Sequence, residues 1–377
     1  MAHRIRKSTW ARSFQRTLNT LTRATVRAGT RAVLKATKQA TKQATRQTTK
    51  KVAKAVAKGP ATPRRTPRAS SPSTAVSATA IGAGTWTSGV ALGPAGARRY
   101  RLYQPPGARK SARLPLLVML HGCRQDAAEF ARSTRLHRVA ARAGFFVLYP
   151  EQDRLANAQG CWNWYGTRSG RALGEAASIV TAIDQVCASY GADPARVAVA
   201  GLSAGASMAA LLALHHPQRF SAVAMHSGIA PGTAHSPATA IGAMQGRRRP
   251  DALPVAAAGA DPLPPLPPLL VIQGSADPIV RAGNGRAAAQ QWADAAGAQP
   301  GAARTVQRGQ RYPMTVTDFK RGARIAARLC EVSGLGHAWS GGAPGQPYSD
   351  PKGPDASRLI WAFALRQFRA ASPVAPR

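Results

Sequence analysis

The sequence predicts an α/β fold: a mostly parallel sheet with helices on both faces, preceded by a basic N-terminal tail. Two observations predict it. Short apolar runs, read as buried strands, alternate along the chain with longer helical patterns, the arrangement that covers a parallel sheet on both sides. Ahead of them, residues 1–70 hold 19 Lys or Arg and no acid, a composition that cannot fold by pairing its own charges.

The strands come in order. Leu116–Leu120 is a continuous apolar run, followed by Phe145–Tyr149. Arg196–Ala200 reads RVAVA and follows the turn signal Ala192-Asp-Pro. Phe220–Met225, Leu269–Gln273 and Ala326–Val332 complete a set of six. Between and after them, Ala127–Ala143, Gly174–Tyr190, Ala204–His215, Gly285–Ala296 and Asp355–Arg369 read as helices. The Pro-rich stretch Pro250–Pro268 interrupts the alternation as a long loop, either decoration or a lid.

Four segments follow from composition. Residues 1–58 form a basic tail in which Trp10, Phe14, Leu18 and Leu21 share one helical face, followed by a four-residue Ala-Thr-Lys-Gln repeat. Residues 59–76 are rich in Pro, Ser, Thr and Arg, the composition of a linker. A globular domain is expected over 77–370, with a disordered end at 371–377.

The chemistry concentrates at three places. Gly201-Leu-Ser203-Ala-Gly205 directly follows the RVAVA strand and directly precedes a helix. That context is what a nucleophile elbow requires: a sharp turn lifts a serine oxygen above the sheet edge, at the positive end of a helix. A serine hydroxyl needs a base. His337, on the glycine-rich loop Ser333-Gly-Leu-Gly-His-Ala-Trp, is the best placed of eight histidines, with His226 a weaker competitor. The base needs an acid to fix its tautomer, and Asp277 stands four residues beyond the Leu269–Gln273 strand, at the carboxyl edge of the sheet. A tetrahedral intermediate would need backbone donors. The Ala204 N–H, after the nucleophile, and the Cys123 N–H, in His121-Gly-Cys after an early strand, are the expected pair, with His121 shaping the turn. Trp162, Trp164 and Tyr165 read either as core or as an apolar wall for an ester, and Trp339 is placed with them as a substrate-binding candidate.

The spaced set His121-Gly-Cys-Arg-Gln, Tyr149-Pro-Glu-Gln, Cys161-Trp-Asn-Trp, Gly201-Leu-Ser-Ala-Gly, Gly274-Ser-Ala-Asp-Pro and Gly336-His-Ala-Trp-Ser-Gly-Gly resembles the polyhydroxybutyrate depolymerase family of esterases, over roughly residues 85–370. The resemblance implies an α/β-hydrolase fold and ester hydrolysis through an acyl-enzyme, with Ser203, Asp277 and His337 matching nucleophile, acid and base. It implies no metal or organic cofactor. Its substrates would be a 3-hydroxybutyrate polyester or its oligomers, with feruloyl or acetyl-xylan esters as the alternative. The chain order Ser, Asp, His is that of α/β-hydrolases. A reading from another class is a nucleic-acid- or granule-binding protein that uses a hydrolase domain as a scaffold.

Charge and cysteines set the remaining expectations. The formal net charge is +37, and the first acid in the chain is Asp126. The tail either solubilises, neutralises nucleic-acid phosphates, or docks on an anionic lipid or granule surface. Residues 1–30 show no apolar secretory core. No run is long and apolar enough for a transmembrane segment. A cytoplasmic, granule- or nucleoid-associated setting is therefore expected, although family members are often extracellular. Cys123, Cys161, Cys187 and Cys330 fit no zinc spacing, and their sequence positions leave three disulfide pairings, or none, open.

Overall fold

The computed structural model describes residues 84–254 and 264–371. The tail, the linker, the middle of the Pro-rich loop and the C-terminal residues after 371 lie outside the described residues.

Eleven strands form one sheet. The long ones are β1 (Thr85–Gly93), β2 (Gly96–Gln104), β3 (Leu114–Leu120), β4 (Phe146–Pro150), β5 (Ala192–Leu202), β6 (Ala222–His226), β7 (Leu269–Gly274), β10 (Met314–Arg321) and β11 (Arg324–Val332). Two short strands, β8 (Gln299–Pro300) and β9 (Arg304–Val306), both pair with β10. The order is β1-β2-β4-β3-β5-β6-β7-β11-β10-β8. The stretch from β4 to β11 is parallel throughout. Its central strands are buried on both faces, which is why β3 and β7 read as unbroken apolar runs.

The antiparallel β1–β2 hairpin, and β10 beside β11, extend the two sides of this core. The apolar-run criterion misses β1, β2 and β10, because each mixes exposed and buried positions and carries polar residues.

The described residues form seven α-helices: α1 (Ala127–Thr134), α2 (Leu136–Ala143), α3 (Arg171–Tyr190), α4 (Ala204–His215), α5 (Pro237–Met244), α6 (Gly283–Ala296) and α7 (Ala356–Ala371). The helix expected over Ala127–Ala143 is two helices. Arg135 between them takes a left-handed conformation (φ 51°), and its guanidinium donates to the carbonyls of Gly341 and Gly342, a tertiary anchor that no local propensity announces. α1 starts with a capping box, Asp126 and Glu129 reciprocally bonding each other's backbone. α5 was not expected, and is started by a Ser236–Thr239 box with Pro237 at its first position.

The main core lies between the sheet and α1, α2 and α7. Leu117, Met119, Phe130, Leu136, Phe145, Val147 and Trp361 pack there, and Phe145 stacks on Trp361 with ring centroids 3.7 Å apart. On the site's helix, α4, every residue from Ala204 to Ala213 is buried. Its Ala, Gly and Ser side chains let the helix axis approach the strands closely, bringing its N-terminus to the sheet edge.

Candidate active site

Ser203 is the single residue between β5 and α4, with φ 57° and ψ −121°. A side chain rarely adopts this backbone, and its persistence marks a turn over-determined by its surroundings. Two glycines supply that room. A Cβ on Gly201 would overlap the Gly205 backbone, and one on Gly205 would overlap the Leu120 carbonyl oxygen at the end of β3. The Ser203 N–H donates to His226 O at 2.9 Å. Its side chain does not cap α4, so the hydroxyl is not spent on the helix.

His337 and Asp277 meet. His337 Nδ1 lies 2.8 Å from Asp277 Oδ2, and both side chains are almost wholly enclosed. Asp277 Oδ1 accepts the N–H groups of Ile279 and Val280, each at 2.9 Å. Burial pushes the Asp277 carboxyl up. The neighbouring His337, with its hydrogen bond, and the two backbone donors outweigh that and hold it below its ordinary value. An ionised Asp277 only accepts, so His337 Nδ1 carries the proton and Nε2 presents a lone pair.

The loops that carry the pair are stitched together. Ala276 N donates to Leu335 O (3.1 Å), Ser275 N to Val332 O (2.9 Å) and Gly334 N to Ser275 Oγ (2.9 Å). The segment after His337 is tied to the strand beside Ser203: Ser340 N donates to His226 Nε2 at 3.1 Å, and Trp339 stacks on the His226 ring at 5.1 Å.

That bond also decides between the two candidate bases. His226 is wholly buried, and its Nε2 lone pair is occupied by the Ser340 N–H. Burial, reinforced by the nearby His337, pushes its pKa down to about 3. It is a neutral structural ring. His215 is exposed, and His137 packs on Trp86 and Tyr103.

The turn after β3 sits beside Ser203. A Cβ on Gly122 would lie 3.6 Å from Ser203 Cβ. His121 is buried, and its Nε2 accepts the Gln152 N–H at 3.1 Å, which leaves Nδ1 protonated to donate to Gly122 O at 2.8 Å. Burial pushes the His121 pKa down to about 4, keeping this tautomer neutral. Gln125 completes the turn: its N–H donates to Gly122 O (3.3 Å) and its Oε1 accepts the Gly122 N–H (3.0 Å). A planar trans peptide holds C=O and N–H opposite each other. Holding the Gly122 carbonyl toward His121 Nδ1 and Gln125 N therefore points the Cys123 N–H away from those two groups. Among the described residues, the N–H groups of Cys123 and Ala204 have no backbone acceptor outside regular secondary structure.

Sequence reasoning missed what lies beneath this turn. Arg98, 2% exposed, donates to Glu151 O (3.0 Å) and Gln152 Oε1 (2.6 Å), and its guanidinium lies 5.2 Å from the Trp162 ring centre. Gln152 Nε2 donates to Glu175 Oε1 (2.8 Å), and Glu175 also accepts the Asn163 N–H (2.9 Å). Burial pulls the Arg98 pKa down while the Glu175 charge pushes back. These residues come from β2, α3 and the long loop between β4 and α3, so no local pattern groups them. The nearest signal was an arginine in an otherwise strand-like segment.

A disulfide joins Cys123 to Cys161, settling a pairing that spacing left open; Cys187 and Cys330 are free thiols. Burial pushes Cys187 up to about 11 and Cys330 up to about 12, so both thiols are protonated at neutral pH. The Cys161 loop holds three of the aromatic candidates, Trp162, Trp164 and Tyr165. Trp162 is fully buried and donates Nε1–H to His121 O at 3.0 Å. Trp339 is also fully buried and donates to Ser357 Oγ at 3.2 Å. Both are braces for the site's loops rather than an exposed wall. Trp164 is 7% exposed and meets Tyr165 edge-on at 5.5 Å, and the half-buried Tyr165 bonds Asn163 Oδ1 through its hydroxyl. Among the described residues, no group of three or more His, Cys, Asp or Glu could hold a metal ion. No helix among them is long and apolar enough to cross a membrane.

Strand order, elbow and an Asp–His pair on the loops after β7 and β11 define an α/β-hydrolase. The structure of an acetyl xylan esterase from Aspergillus awamori shares the fold: TM-score 0.54 at 20% identity, over 67% of this chain and 94% of that one. Residues 98–309 match the family described as Esterase PHB depolymerase, and the chain belongs to that family. Poly(3-hydroxyalkanoate) depolymerase C of Paucimonas lemoignei is 36% identical over 155 residues, 41% of this chain and 36% of that protein. Feruloyl esterase B of Neurospora crassa is 33% identical over 132 residues, 34% of this chain and 44% of that protein. The matches thus span under half the length of these relatives.

Proposed function

We propose that the protein is a serine ester hydrolase working through an acyl-enzyme, with a 3-hydroxybutyrate polyester or its oligomers as substrate. The observation that carries the reading is the His337–Asp277 hydrogen bond, which leaves His337 Nε2 as an acceptor on the loop tied to the Ser203 turn. In the first half-reaction His337 Nε2 takes the Ser203 proton as Oγ attacks the ester carbonyl. The oxyanion is held by the N–H groups of Cys123 and Ala204. Collapse of the intermediate breaks the C–O bond, and His337 returns the proton to the leaving alcohol. Water, deprotonated by His337, then attacks the acyl-Ser203 ester; the acyl–Oγ bond breaks, His337 returns the proton to Ser203 Oγ, and the acid is released. Asp277 stays ionised and stabilises the imidazolium in both halves.

The family match and the Paucimonas relative's name support the polyester substrate. Feruloyl and acetylxylan esterases among the relatives support plant cell-wall esters as the alternative. Hydrolysis of a 3-hydroxybutyrate oligomer and of a feruloyl ester by the purified protein separates them. Ser203→Ala is expected to lose on the order of 10⁴–10⁶ in rate. Activity that survives in the variant removes the nucleophile assignment, and activity on the feruloyl ester alone moves the substrate class.

For the domain expected over 77–370, esterase chemistry is the proposal; for the tail it is polyanion binding. The supporting observation is 19 basic residues and no acid over 1–70, the composition for phosphate neutralisation on nucleic acid or attraction to an anionic granule. Deleting residues 1–75 is expected to abolish salt-dependent retention on duplex DNA while soluble-ester turnover persists.

A further inference from the structure

The folded domain carries a basic face of its own. Helices α2 and α7 lie side by side: Ser357 Oγ, in the first turn of α7, donates at 2.7 Å to the carbonyl of Thr134, the last residue of α1 and two residues before α2, and Phe145, just after α2, stacks on Trp361 of α7. Each helix turns its apolar side into the core, with Leu136 and Ala140 on α2 and Ile360, Phe363, Ala364 and Phe368 on α7. The opposite side exposes Arg138 and Arg142, four apart on α2, and Arg366 and Arg369, three apart on α7. Such spacings put each pair on one helical face.

Among the described residues, none of these four guanidinium groups is within ion-pair distance of a carboxylate. The acids nearest in sequence are already engaged: Asp126 and Glu129 in the α1 capping box, and Asp355 with Arg358. Among the described residues no exposed large apolar side chain stands on either helix; Trp86 of β1, 36% exposed, borders α2 edge-on against the His137 ring. The face therefore offers planar, permanently charged donors with nothing to insert into an acyl layer. That chemistry fits backbone phosphates better than a lipid interface.

We propose that the α2/α7 face docks the phosphate backbone of a nucleic-acid duplex, extending to the folded domain the polyanion binding assigned above to the tail. Contact is sequence-independent, since four arginines on a convex helix pair read charge and not base edges. None of the four arginines is among the residues that hold Ser203, Asp277 or His337 in place, so docking and ester hydrolysis are expected to proceed independently.

The test uses the full chain and its Arg138→Gln/Arg142→Gln/Arg366→Gln/Arg369→Gln variant. Binding to a short mixed-sequence DNA duplex is followed by fluorescence anisotropy between about 50 and 200 mM salt. Each phosphate contact adds about 0.9 to the slope of log affinity against log salt, so the variant is expected to lose about 3–4 in slope. Its soluble-ester turnover and thermal midpoint are expected to match wild type, which shows that the fold is intact. An unchanged slope in a folded variant overturns the face and leaves the tail reading standing. Absence of salt-dependent duplex binding by the wild-type chain overturns both. A variant defect confined to anionic phosphatidylglycerol vesicles would reassign the face to lipid and overturn the nucleic-acid proposal.

Discussion

Replacing His121 tests whether an imidazole with no part in proton transfer aims the Cys123 N–H. The ring is 1% exposed and makes two bonds, donating to Gly122 O at 2.8 Å and accepting from Gln152 N at 3.1 Å. Alanine deletes both. Gly122 O keeps only the longer bond from Gln125 N, and the Gln152 N–H loses its acceptor. The orphaned Gln152 N–H costs about 1–3 kcal/mol and the lost bond to Gly122 O about 0.5–1.5 kcal/mol, so a loss of about 1.5–4.5 kcal/mol in unfolding free energy is expected. The Gly122–Cys123 peptide is then free to rotate. A lost oxyanion donor is worth about 2.7–4 kcal/mol of transition-state stabilisation, so kcat is expected to fall roughly 10²–10³ with KM little changed. His121→Asn separates the two effects. Its amide nitrogen can stand where Nδ1 stands and hold Gly122 O, but nothing replaces Nε2. It should regain most of kcat while remaining less stable than wild type. Steady-state kinetics on a soluble ester, with urea melts of the same preparations, reads both. Equal kcat for the asparagine and alanine variants, or wild-type kcat in a folded alanine variant, would refute the coupling of this ring to the oxyanion donor.

Asp277→Asn should fold, because Ile279 and Val280 N–H still find a side-chain oxygen. It should lose on the order of 10⁴ in kcat through the wrong His337 tautomer, and wild-type turnover would remove Asp277 from the mechanism. Burial holds His226 and His121 down to about 3 and about 4, below the roughly 6.5 of an unfolded histidine. The unfolded chain therefore binds more protons in that window. Stability is complete above about pH 6.5 and falls as pH drops through it, by up to about 1.4 kcal/mol per pH unit for each ring. Urea midpoints across the window should show a shallower slope in His226→Gln, and parallel slopes would contradict the assignment. Removing the Cys123–Cys161 disulfide by double alanine substitution opens a loop of sequence separation 38. By the chain-entropy model this should cost about 4 kcal/mol, and an unchanged urea midpoint would show that the bond does not restrain the unfolded chain.

How much of this was legible depends on the range of each interaction. The β5–Ser203–α4 turn is local, and Gly201 and Gly205 stand two residues from the serine because the strand–helix junction leaves no room for a Cβ. Asp277 and His337 were readable one at a time, each from its place just past a strand. Their 2.8 Å hydrogen bond joins residues 60 apart in sequence. The preference for His337 over His226 was readable from its glycine-rich loop; the reason against His226, a lone pair filled by the Ser340 N–H from 114 residues away, was not. Trp162 and Trp339 were unreadable for a different reason. A buried brace and a substrate wall call for the same residue type, and only the partners of the indole N–H tell them apart.

Taken by itself, the sequence determined the periodicities, the buried strands, the elbow, the chain order of serine, acid and histidine, and the one-sided charge of the first 70 residues. These are properties of neighbouring residues, and steric and solvation rules act on them without knowledge of the rest of the chain. The tertiary structure decided the break at Arg135, the pairing of Cys123 with Cys161, the buried Arg98–Gln152–Glu175 cluster and the direction of the Cys123 N–H. Each of these is set by a hydrogen bond, charge or covalent bond to a partner that only the folded sheet brings within reach, or by the low dielectric around it, and neither exists in the unfolded chain.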